Sequence, residues 1–100
     1  LIARNQSKLE NLCKEITDEY GVEAKFLTKD FSKSYQPNHF DDIFAHTQDL
    51  DVSILVNNVG MNNMKSLPEA DPEDIKNVIT TNTYPQTLLT QEMIKRMLKR

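Results

Sequence analysis

Four sets of polar residues stand where chemistry could be done. Arg4 follows Leu1-Ile2-Ala3, and Asp30 precedes Phe31. Asn57-Asn58-Val59-Gly60 follows Ile54-Leu55-Val56, and Asn82 follows Thr81. A guanidinium at the end of an apolar run is a planar fork for an anion. A carboxylate in the same setting accepts hydrogen bonds, and paired asparagines offer donors and acceptors that a core rarely wants. Gly60 permits a turn directly after them through its access to positive φ. In an open parallel sheet, ligands bind outside the carboxyl ends of the strands, so these clusters read as strand ends delivering polar groups to a ligand.

The elements that must position them follow from periodicity. Residues 5–20 predict an amphipathic helix with Leu9, Leu12, Cys13, Ile16 and Tyr20 on one stripe. Ser7-Lys8-Leu9-Glu10 fits a capping box at its start, and Gly21 a C-terminal stop. Residues 22–28 suggest a strand. A second helix is expected over residues 38–47, burying Phe40, Ile43, Phe44 and Thr47, then a strand over 52–58. Asp71-Pro72-Glu73-Asp74 is a helix start: an Asp cap, Pro at the first helical position and acids against the dipole. Its stripe runs through Ile75, Val78, Ile79 and Asn82 to Leu88, Leu89, Met93 and Met97. Lys95, Arg96, Lys99 and Arg100 suit its C-terminal end. With Leu1 to Arg4 as a strand end, the order is β-α-β-α-β-α, the signature of a parallel α/β sheet.

One hundred residues allow one domain at most. A net charge of -3 argues against nucleic acid as a general electrostatic partner. No apolar run approaches the ~20 residues of a membrane span. Cys13 is the only cysteine, so no internal disulfide forms and a reducing compartment is expected. His39 and His46 lack a third residue at metal-site spacing; they read as surface histidines, and no metal is expected. The two glycines, Gly21 and Gly60, leave no glycine-rich phosphate loop within these residues. The chain begins on what reads as a strand end rather than on methionine, which suggests a piece of a longer protein.

In their order, Arg4, Asp30-Phe31, Asn57-Asn58-Val59-Gly60 and Thr81-Asn82 resemble the landmarks of the short-chain dehydrogenase/reductase family across essentially the whole chain. Leu1-Ile2-Ala3-Arg4-Asn5, with Asn57-Asn58-Val59-Gly60 in place of the commoner Asn-Asn-Ala-Gly, looks most like one branch. That branch holds the 17-beta-hydroxysteroid dehydrogenases and the very-long-chain 3-ketoacyl-CoA reductases. The resemblance implies the central part of one Rossmann-like, doubly wound domain over residues 1–100, without the first strand and the C-terminal half. It also implies NADP(H), a steroid or 3-ketoacyl-CoA ketone as substrate, and the endoplasmic reticulum, with the cytoplasm as runner-up.

By the same resemblance, Arg4 clamps the 2′-phosphate of NADP; the plainer alternative is a solvated arginine at a helix start. Asp30 and the amide of Phe31 sit beside the adenine, or Asp30 merely forms a strand-end turn. Asn57 holds the sheet, while Asn58, Val59 and Gly60 line the adenine-ribose side; a purely structural role competes. Asn82 matches the catalytic asparagine, whose backbone carbonyl holds a water that links the active-site lysine to solvent. The alternative is a buried asparagine bonded to a neighbouring strand. Pro85 cannot donate to the Thr81 carbonyl, so a helical irregularity is expected beside Asn82. Met61, Met64 and Leu67 either touch an apolar substrate or simply pack.

The resemblance breaks at one point. The family's Tyr-x-x-x-Lys is absent, since Tyr20, Tyr35 and Tyr84 are followed at that offset by Ala24, His39 and Leu88. The family's strand order places the absent first strand between the strand ending at Arg4 and the strand over residues 52–58, so the half from Leu1 to Asp30 would have no direct neighbour in the latter. These 100 residues alone are therefore expected to be poorly stable and inactive. The competing reading is a truncated or degenerate member serving as a binding module, with Asp71 to Arg100 as its contact surface. The same helix would carry a homodimer in a complete protein.

Overall fold

The computed structural model describes residues 1–99, and Arg100, expected at the end of the last helix, lies outside them. The chain divides into two compact units, Leu1–Asp30 and Phe31–Arg100. The division falls at the end of the two-strand half that strand order singles out.

The first unit is a β-α-β turn of chain. Strand β1 (Ile2–Ala3) and strand β2 (Leu27–Thr28) pair in parallel, Ile2 opposite Leu27 and Ala3 opposite Thr28. Bonds from Leu27 N to Leu1 O (2.9 Å) and Lys29 N to Ala3 O (2.8 Å) extend the ladder. Residues 22–26, expected in the strand, lie outside it. Helix α1 (Gln6–Tyr20) crosses between the strands and buries Leu9 and Cys13, one turn apart. Leu12 and Tyr20, expected on the same stripe, are 43% and 67% exposed.

The start of α1 corrects the capping box. Asn5 is the cap, accepting from Lys8 N at 3.0 Å, while the Ser7 hydroxyl donates to the same Asn5 oxygen. Glu10 accepts from Gln6 Nε2 instead of the cap amide. An asparagine two residues upstream outcompetes the serine because its side chain already reaches the orphan amide.

Gly21 ends α1 as expected, at φ 65° with its N–H on the Thr17 carbonyl. A Cβ there would meet nothing within 4 Å. The requirement is therefore conformational alone. Gly21→Ala should lower stability by about 1 kcal/mol, the cost of a left-handed non-glycine residue. The midpoint of chemical denaturation reads this out, and an unchanged midpoint would contradict it.

The second unit opens with a 3₁₀ turn (Phe31–Lys33) and continues to helix α2 (Asp41–Thr47). This helix starts three residues later than its polar lead-in suggests. Asn38 takes φ 60°, which a right-handed helix cannot include. Phe31, Phe40 and Ile43 are buried, with Phe31 and Phe40 ring centroids 6.1 Å apart and Phe40 and Phe44 6.2 Å apart. His39 joins this cluster edge-on to Phe40 at 5.2 Å, so it is a half-buried residue and not the surface histidine expected.

Helix α3 (Pro72–Met97) is one element of 26 residues, capped by Asp71, whose carboxylate accepts from Glu73 N at 2.9 Å. Its buried face is Thr81, Pro85, Leu89 and Met93 at four-residue spacing, with Thr80 beside it. Ile79, expected on that face, is 59% exposed. Near its end, Arg96 donates to the Phe44 carbonyl (3.2 Å) and the Thr47 hydroxyl (3.0 Å) and pairs with Glu92 (2.9 Å). Arg96 thus serves the C-terminus of α2, where a cation complements the helix dipole.

Two expectations fail in this unit. The anticipated irregularity beside Asn82 is not a break, since α3 runs without interruption through Pro85. Only one donor is lost at a proline, and the packing of its buried ring holds the helix through that position. Residues 52–58 also form no ladder, and Ile54 and Val56 are 79% and 76% exposed. A strand is stabilised by its neighbours, and the described residues of this unit contain no other strand.

Candidate functional site

The candidate site is the segment 57–61 held against α3. Asn57 Nδ2 donates to Thr90 Oγ1 at 2.9 Å, and Gln86 Nε2 donates to the Val59 carbonyl at 2.9 Å. Met61 N donates to Asn82 Oδ1 at 3.0 Å, while Asn82 Nδ2 donates to Met61 O at 2.8 Å. Positions 57, 59 and 61 therefore meet positions 90, 86 and 82, running in opposite directions.

The spacing explains the match. Two residues of extended chain advance about 6.6 Å, and four residues of α-helix about 6 Å. Side chains one turn apart can therefore meet every second residue of an extended segment. Asn82 supplies both a donor and an acceptor to one residue, as a neighbouring strand would. It is exposed as a residue, and its amide is satisfied on both sides. The cost expected for a polar group on the apolar stripe is thereby removed.

Gly60 sits inside this arrangement for a reason other than its turn. Among the described residues the positive-φ glycine is Gly21, so Gly60 does not use that freedom. A Cβ on Gly60 would lie 3.3 Å from Asn82 Oδ1, the atom that holds the Met61 amide. A side chain at this position would press on that oxygen, which would have to give by a few tenths of an ångström.

The remaining expected site residues have distinct settings. Asn58 is exposed, and its N–H closes a local turn onto Val56 O at 3.1 Å. Arg4 is exposed immediately after β1, and Asp30 is half-buried at the end of the same unit. Phe31 opens the second unit and is buried, at 5% exposure for the residue as a whole. The structure brings Asn57, Val59 and Gly60 together with Asn82. Gln86 and Thr90 were missed from sequence; polar residues one and two turns beyond Asn82 were the available signal.

The setting of Arg4 fits an anionic group: the residue is exposed and lies two positions before the start of α1, where the helix dipole favours negative charge. Among the described residues no cluster of three metal-ligating side chains occurs, and no helix is long and apolar enough to cross a membrane.

Comparison with known proteins adds the wider context. A family model described as short chain dehydrogenase matches residues 1–100. A very-long-chain 3-oxoacyl-CoA reductase of Meyerozyma guilliermondii is 37% identical over 91% of this chain and 27% of its own length. The Emericella nidulans protein of the same name is 38% identical over 100% of this chain and 30% of its own length. A solved structure of a 7β-hydroxysteroid dehydrogenase superposes with a TM-score of 0.82 at 26% identity, covering 94% of this chain and 36% of that one. The chain thus spans about a third or less of the relatives it matches. With the ordered landmarks and the parallel β-α-β unit, these matches establish that the chain belongs to the short chain dehydrogenase family.

Proposed function

We propose that the complete protein is an NADP(H)-dependent reductase of a lipid ketone, with a 3-oxoacyl-CoA as its best-supported substrate. The observation that carries this is the 57–61 segment, pinned by Asn82, Gln86 and Thr90 directly after the apolar run 54–56. Members of the family are oxidoreductases that use nicotinamide cofactors. The relatives named for 3-oxoacyl-CoA reduction support the substrate class.

In this reading Arg4 holds the 2′-phosphate, Asp30 and the Phe31 amide meet the adenine, and Asn58 to Gly60 form the wall beneath the ribose. The bound cofactor supplies hydride. Asn82 positions Met61 through its side chain and offers its backbone carbonyl to a proton-relay water. Helix α3 also presents Tyr84 and Ile94 at 47% and 50% exposure, a surface suited to a second copy. The endoplasmic reticulum remains the proposed location.

The test is NADPH consumption by the complete protein with a very-long-chain 3-oxoacyl-CoA. Turnover is expected, and residues 1–100 alone should show none, lacking a Tyr-x-x-x-Lys. NADPH-independent behaviour of the complete protein, with no ketone reduced, would leave the binding-module reading in its place.

A further inference from the structure

Beyond Met61 the chain loops back over the first half of α3 and leaves a cleft of about 380 Å³, within the usual size of small-molecule sites. Leu67, Ala70, Val78 and Ile79 supply apolar wall, and Leu67 and Ile79 are 76% and 59% exposed. Asn63 and Lys65 stand at the same cleft. Lys65 is the one charged residue lining it, with no carboxylate opposite, in a chain of net charge -3. Glu69, Asp71, Glu73 and Asp74 flank the same wall, so any anion taken up here is held by Lys65 itself.

Asn63 adds a directional demand. Its Oδ1 accepts from Lys65 N at 3.1 Å, which orients the side-chain amide. Its Nδ2 is then a buried donor with no hydrogen-bond partner. Such a donor costs free energy until an acceptor reaches it. A plain methylene chain offers neither acceptor nor anion, and a steroid ketone offers no anion.

We propose, building on the reductase reading, that this cleft recognises the phosphopantetheine arm of a coenzyme A thioester. The amide carbonyl nearer the phosphate, which N-acetylcysteamine lacks, accepts from Asn63 Nδ2, the methyl groups cover Leu67, Val78 and Ile79, and a phosphate pairs with Lys65. Asn63 and Lys65 then determine specificity for the carrier, apart from the reacting ketone.

The test compares one 3-oxoacyl chain presented as its CoA thioester and as its N-acetylcysteamine thioester, with saturating NADPH and the complete protein. The unmodified protein should show the lower KM for the CoA thioester. Lys65→Glu and Asn63→Leu should each raise that KM about tenfold, corresponding to one lost charge-assisted or buried hydrogen bond. Their kcat, and KM for the N-acetylcysteamine thioester, should stay within twofold. Because the shorter thioester reports on folding and chemistry in the same variant, equal changes for both thioesters, or none, overturn the assignment. If the unmodified protein reduces neither thioester, the reductase reading itself fails, and the carrier site with it.

Discussion

Asn82→Leu should lower kcat/KM of the complete protein at least a hundredfold and also raise the KM for NADPH, because residues 58–60 are released with Met61. Leucine is close in size but has no amide, so the N–H and carbonyl of Met61 lose both partners at once. The 57–61 segment is then free to move relative to α3, and displacement by about 1 Å near reacting atoms can cost about a hundredfold in rate. Asn82→Asp separates the contributions, because a carboxylate keeps the acceptor for Met61 N but cannot donate to Met61 O. It should fall between leucine and the unmodified protein. Steady-state kinetics with a ketone substrate check both variants, and full activity in Asn82→Leu would remove Asn82 from the mechanism.

The second large effect concerns the cofactor. Arg4→Glu should reverse the preference for NADPH over NADH, with kcat/KM for NADPH falling about a hundredfold or more and that for NADH rising or holding. A guanidinium forks onto a 2′-phosphate, whereas an acid at this place in the fold accepts from free ribose hydroxyls. The acid also suits the N-terminus of α1 better than the arginine does, so the variant is expected to fold. Its thermal midpoint provides that check. Retention of NADPH preference would place the selecting group elsewhere.

Much of this was legible in the residues, and the failures share a cause. Helix starts and stops carried by local chemistry, Asp71-Pro72 and Gly21, stand where the sequence implies them. The strands do not, because a strand depends on neighbours that local patterning cannot supply. Residues 22–28 shrink to Leu27–Thr28, and residues 52–58 carry the apolar pattern without a ladder. Asn38 shows a third case, where one left-handed residue delays α2 against an otherwise continuous polar-apolar pattern.

The candidate site was visible as types and order, not as contacts. Asn57, Gly60 and Asn82 could be picked out, but Gly60 does not take the positive φ expected of it. A Cβ there would instead lie 3.3 Å from the Asn82 oxygen. Gln86 and Thr90 looked like ordinary polar positions of a helix until the 57–61 segment was seen lying along them. Pairing between a two-residue and a four-residue period appears only when the two segments are placed side by side.

Amide hydrogen exchange of the complete protein, with and without NADPH, tests the account most directly. Met61 N–H should be protected without cofactor, lose that protection in Asn82→Leu, and the amides of residues 58–60 should slow when NADPH is added. Fast exchange at Met61 in the unmodified protein, or exchange at 58–60 indifferent to NADPH, would contradict it.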